Sequence, residues 1–154
     1  MKIIYLLTIS IIFGCASNVE DIENSRLGKD FYRKNIAISD QMKEIKSFSI
    51  NEQYEIFEFG NRVIYPPASY LALSLAEQGE IIIPFLRDKL ENTNDELTIR
   101  DIILIFSEMV ELKNYEFSKD LRLRKLIRQK VDNMKGIWYL AVRREVFGNV
   151  DRVV

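Results

Sequence analysis

From Leu97 to Leu112 the apolar residues Ile99, Ile102, Ile103, Phe106, Met109 and Val110 recur at intervals of three and four. That spacing places them on one face of an α-helix. An apolar helical face has to be covered, and no other stretch of the chain alternates as a strand does. The cover must therefore come from other helices, and the chain is expected to fold as an all-α protein. The neighbouring segments carry the same kind of signal. Ser49 or Asn51 can cap a helix that runs toward Arg62 with Tyr54, Ile56, Phe57 and Phe59 as its apolar bulk. Tyr65-Pro66-Pro67 breaks it, because the residue before a proline is pushed out of helical geometry.

Residues 67–78 read as a small-residue helix with Ala68, Ala72 and Ala76 on one stripe, closed by Gly79. The segment 80–91 reads as a helix with Pro84 in its first turn, where a missing N–H is tolerated. Ile81-Ile82-Ile83 is rich in β-branching, yet it runs without a turn into the helical pattern. Asn92 to Asp95 form a turn. Ser118 is expected to cap a helix to Met134, striped by Leu123, Leu126, Ile127 and Val131, and a last helix spans 137–147. One or two short helices are expected between Gly28 and Lys46.

The amino-terminal run has a different character. Lys2 is followed by an apolar stretch, then by Ile12-Phe13-Gly14-Cys15, then by polar Ser17-Asn18. One positive charge, a short apolar run and a small-residue boundary describe a secretory signal. The stretch is too short for a membrane span, which takes roughly 20 apolar residues. Ile12 to Cys15 resembles the lipobox of bacterial lipoproteins. The resemblance implies cleavage between Gly14 and Cys15, a diacylglyceryl group on Cys15 and acylation of the new amino terminus. It places the mature chain in the bacterial cell envelope as a lipid-anchored membrane resident, with the outer membrane facing the periplasm as the destination in a Gram-negative cell, since Ala16 rather than Asp follows the Cys. The expected organisation is a signal over 1–14, a polar lipidated tether over 15–27, and a single helical domain over 28–154.

Leu71 to Met109 adds a second resemblance. A helix, a Gly, a helix with Ile-Pro near its start, a polar turn and another apolar helix look like one unit of a HEAT-type α-solenoid. No second copy in the same register is present. A short HEAT-like solenoid and an irregular helical bundle therefore both remain open.

Residue types narrow the chemistry. There is no His, and Cys15 is the only Cys. The commonest general base and transition-metal ligand are missing, and no Cys–His or Ser–His pair can be drawn. The Gly residues are scattered singly, so no phosphate-cradling loop exists. Glu55 and Glu58, and Glu108 and Glu111, lie three apart and could act as acid and base on a glycosidic bond. Such pairs on helix surfaces read first as solvated charge. The acidic turn 92–96 lacks the spacing of a calcium loop. No metal and no cofactor is expected.

Two features point to binding. From Ser118 onward ten Lys or Arg stand against four Asp or Glu, while Cys15 to Phe117 carries eleven against nineteen. Arg122, Lys125 and Arg128 mark the basic helix as a surface for anionic headgroups or an acidic partner, unless it pairs with the acidic remainder. Nucleic acid is not expected for an exported protein. Tyr65 and Tyr70 flank a Pro-Pro loop and suit a recognition surface, as Trp138-Tyr139 on the last helix also can. The expected function is a non-enzymatic interaction module, an adaptor or scaffold for an envelope protein partner. An immunity protein against an envelope-directed toxin and a carboxylate enzyme are the alternatives.

Overall fold

The computed structural model describes residues 19–145. The signal expected at 1–14 and Cys15 lie outside them. Among the described residues there are α-helices and short 3₁₀ turns and no strand. The helices are α1 (Val19–Glu23), α2 (Arg26–Arg33), α3 (Ile38–Glu44), α4 (Ile50–Val63), α5 (Leu71–Ala76), α6 (Ile83–Asn92), α7 (Glu96–Leu112), α8 (Leu121–Asp132) and α9 (Tyr139–Glu145). None is long and apolar enough to cross a membrane.

Local chemistry sets the helix ends. Ser49 Oγ accepts from the Glu52 amide at 3.4 Å while the Glu52 carboxylate accepts from the Ser49 amide at 2.9 Å, a capping box that satisfies two otherwise orphaned donors. Asp95 caps α7 by accepting from the Thr98 amide at 3.0 Å. At α8 the cap is Asp120, which accepts from Leu123 at 2.9 Å. Ser118, the expected cap, lies instead in a 3₁₀ turn over Phe117–Lys119. Pro84 sits in the first turn of α6, and Gly79 has φ +59°, a left-handed conformation in which a Cβ is strained. The helix expected over 67–78 is shorter than that, because residues 68–70 turn back so that the Ala68 amide donates to Gly60 O at 3.1 Å.

The core is built around α7, which packs against α4, α5, α6, α8 and α9. Ile102, Ile105, Phe106 and Met109 have no exposed surface. A fully buried apolar side chain of this size contributes about 1.5–3 kcal/mol. Ala72 and Ala76 on α5 are also fully buried, and their small side chains let α5 lie close along α7. On the other side α2 packs on α4, where Gly28 and Gly60 leave room for Phe59 and Tyr32. The two most extensive pairings join a helix to the next but one, α2 to α4 and α5 to α7; α6–α8 and α7–α9 pair the same way, alongside sequential contacts such as α4–α5 and α8–α9.

The polar tether expected over 15–27 needs correction. Residues 19–23 form α1, which packs on α4 and buries Ile22. Ser25 caps α2 and donates to Glu55 Oε1 at 2.6 Å. A single apolar residue has no period, so Ile22 gave no helical signal on its own. The fold thus begins nine residues before Gly28, leaving only Ala16, Ser17 and Asn18 between Cys15 and the first helix.

Candidate functional site

Between the loop that follows α4, the middle of α7 and α9 lies a cleft of about 290 Å³. Its walls are mostly apolar: Pro67 from the loop, Ile103 and Leu104 from α7, and Trp138 and Val142 from the last segment. Asn61 and Arg100 supply polar groups. The Tyr65–Pro66 bond in the loop is cis, and the Tyr65 side chain is 94% exposed beside Pro67. On the segment that carries Trp138, Ile137 and Leu140 are 89% and 75% exposed. Apolar surface exposed on the segments that bound a concave site is the ordinary mark of a place where something binds.

The α9 wall is held by polar contacts as much as by packing. The Glu96 carboxylate at the start of α7 accepts from the backbone amides of Lys135 and Gly136 at 2.6 and 3.0 Å. A Cβ on Gly136 would collide with that carboxylate, so a side chain there would push Glu96 off the turn. Next along, the Arg100 guanidinium lies 4.8 Å from the Trp138 ring centroid, a cation–π contact that flattens the indole against the cleft. Val142 is buried beneath. Trp138 is the only Trp in the chain, so its fluorescence reports this site alone.

Under the cleft runs a buried charged network. Asp101, fully buried, accepts from Asn61 Nδ2 at 3.0 Å and from Arg100 Nε and Nη2 at 2.9 and 2.6 Å, all on Oδ1. Its Oδ2 has no hydrogen-bond partner and faces Arg62 Nε at 3.7 Å. Arg62, with only 6% of its side chain exposed, also donates through Nη2 to Glu58 and Asp95 at 2.8 Å each and to Thr98 at 2.7 Å. One cation thus compensates three carboxylates. Asp101 in turn fixes Asn61 and Arg100, two of the polar side chains of the cleft.

The network shifts its own titrations. Burial pushes the Asp101 carboxyl above its ordinary range, against the pull of Arg100, Arg62 and Asn61. Burial does the same to Glu58, against Arg62 and Lys89. Asp95 moves the other way: its partial burial is outweighed by hydrogen bonds from Thr98 and by the Arg62 charge, which hold it low. Burial and the nearby charges of Glu58 and Asp101 drive the Tyr54 hydroxyl well up.

The residues singled out by sequence are dispersed. Tyr65 is exposed on the loop that bounds the cleft without lining it, whereas Tyr70 packs against the core and its hydroxyl donates to Gln41. Arg122 pairs with Glu91 at 3.1 Å, Arg128 is exposed with a partner of its own, and Lys125 is exposed. The basic helix is in part internally matched, as Lys130 shows by donating to the carbonyls of Glu91 and Thr93 at 3.0 and 2.5 Å. Glu55 and Glu58 do share a second cleft, of about 420 Å³, with Tyr54, Phe85 and Lys89. Glu58 is not the solvated surface charge expected, being only 6% exposed. Glu108 is half-buried on α7, and Glu111 is exposed at the edge of another hollow beside Glu80. No metal-holding group of acidic, Cys or His residues occurs among the described residues.

Arg62, Arg100, Asp101 and Asn61 were missed by the sequence reading. Two signals were there: Glu58 and Arg62 sit four apart within an apolar helix, and Ile105 lies off the expected α7 stripe. A helix apolar on more than one side is enclosed, and charges on it need partners. No known family model matches this chain, and neither does any curated protein or solved structure.

Proposed function

We propose that this chain is a lipid-anchored protein of the bacterial cell envelope, and that its helical domain holds an envelope protein partner at the cleft without catalysing a reaction. The observation that carries the binding role is the meeting of two sequence-distant segments. Five of the nine large apolar side chains exposed among the described residues are Val63, Tyr65, Ile137, Trp138 and Leu140. All five lie on the two segments that flank the cleft. Exposed aromatic and aliphatic residues around a pocket are the composition of an interaction hot spot. The anchor rests on Ile12-Phe13-Gly14-Cys15, with Cys15 as the lipidated residue. The pairing of helices with the next but one supports a short HEAT-like stack, an architecture that offers extended faces to proteins.

The test is affinity isolation of the lipidated chain from mildly solubilised membranes, beside a triple variant Tyr65→Ser, Ile137→Ser, Leu140→Ser. Those side chains are largely exposed, so the variant should melt as the parent does. A stoichiometric partner held by the parent and lost by the variant is the expected result. A partner retained by both would remove the cleft from the account. The partner's identity separates a scaffold from an immunity protein, since the partner of the latter would carry a toxin domain.

A further inference from the structure

We infer that the segment seated in the cleft is acidic and amphipathic: a large apolar side chain enters between Pro67, Leu104 and Trp138, and neighbouring carboxylates meet the cations around it. The inference rests on the binding role proposed above and names the chemistry of the partner. The cleft, at about 290 Å³, is at the lower end for a small-molecule site, for which about 300–1,000 Å³ is usual. A small ligand inside it would also leave Tyr65, Ile137 and Leu140 in water. A peptide segment covers them while filling the hollow. A bilayer surface has no protruding side chain to offer a concave site, which favours protein over lipid here.

Charge supplies the sign. Arg100 lines the cleft and commits Nε and Nη2 to Asp101, leaving Nη1 outside that pair. Lys135 and Arg144 are exposed on the segment that forms the far wall. A basic partner segment would meet repulsion there. An acidic one is steered in and held, more strongly at low salt.

The test uses the full mature chain with Cys15→Ser, purified without its anchor. A random dodecapeptide display library is panned on it and counter-selected on the same chain carrying Ala141→Glu. Ala141 lines the cleft and is exposed, so that substitution places a negative charge in the site without disturbing the core. Equal melting of the two chains is checked first. The expected peptides combine Leu, Ile, Phe, Met or Trp with Asp or Glu within about one helical turn. They should quench or shift Trp138 fluorescence, and lose about tenfold or more in affinity on Lys135→Glu with Arg144→Glu or in about 0.5 M salt. Peptides that depend on the cleft but lack acidic residues would overturn the inference and leave the binding role standing. No peptide sensitive to Ala141→Glu would count against both. Binding of the chain to phosphatidylglycerol vesicles that requires Ile137 and Leu140, with no such peptide, would assign the face to lipid and overturn the inference.

Discussion

Replacing Arg62 by Met keeps the length and apolar bulk of the side chain and removes the one cation shared by Glu58, Asp95 and Asp101. The structure gives the magnitude. Asp95 is 38% exposed at its side chain and can turn to water, but Glu58 and Asp101 are 7% and 0% exposed. Removing one partner of a buried ion pair costs about 3–5 kcal/mol, because the charge left behind is uncompensated. Arg100 still touches Asp101, which places the expected loss near the lower end, about 3 kcal/mol. The loss must also depend on pH. Glu58 and Asp101 already sit above the ordinary carboxylate range because they are buried, and Arg62 opposes that rise. Without it both move higher. A carboxyl raised on folding adds stability that is complete below its unfolded pKa and disappears as pH climbs through the folded one. The variant should therefore be weakest at neutral pH and draw closer to the parent in acid, by up to about 1.4 kcal/mol per pH unit for each proton taken up. Urea unfolding followed by circular dichroism, at about pH 7.5 and about pH 5, reads both effects. Adding Glu58→Gln to Arg62→Met should recover much of the loss at neutral pH, since Asp101 keeps Arg100 and no buried carboxylate then lacks a partner. A variant within about 1 kcal/mol of the parent at both pH values would refute the reasoning, showing these carboxylates to be hydrated.

Three further outcomes are expected. Gly136→Ala forces the Glu96 carboxylate off the turn before α9; the emission of Trp138 should shift red while overall helicity stays, and an unchanged spectrum would show that Glu96 does not hold the wall. Gly60→Ala drives a Cβ into the Tyr32 hydroxyl and Ala68 Cβ, so urea unfolding should show a loss of about 1–3 kcal/mol from overpacking. Cys15→Ser should leave an unprocessed precursor that fractionates away from the membrane, and normal membrane retention of that variant would remove the lipid anchor from the account.

The all-helical fold was legible because its signals are local. The α7 stripe, the Ser49 cap, Pro84 in the first turn of α6 and Gly79 all act over a few residues, and each appears in the structure. What the sequence hid depends on distance. Ile22 is buried only because α4 lies over it. Asp101 falls opposite the α7 stripe and would face water on an ordinary surface helix, yet Asn61 and Arg62 of α4 meet it on that side. For the same reason Tyr65 and Trp138 could each be noticed separately, as exposed aromatics, while the meeting of their two segments at one cleft could not. The basic helix showed its charge in the sequence, and pairing with the acidic remainder was open, but not which groups it would meet. Glu91 and the carbonyls of the 93–95 turn, which absorb Arg122 and Lys130, come from the far end of α6.

The central claim is that a protein partner sits in the cleft, and site-specific photocrosslinking in living cells addresses it most directly. A photoreactive residue placed at Ala141, which lines the cleft, is compared with one at Asn92, exposed at the end of α6. The account predicts one discrete adduct from position 141, absent from position 92 and suppressed when Lys135→Glu and Arg144→Glu are introduced. Adducts of equal yield from both positions, or none from position 141 while the chain is folded and present in the envelope, would contradict it.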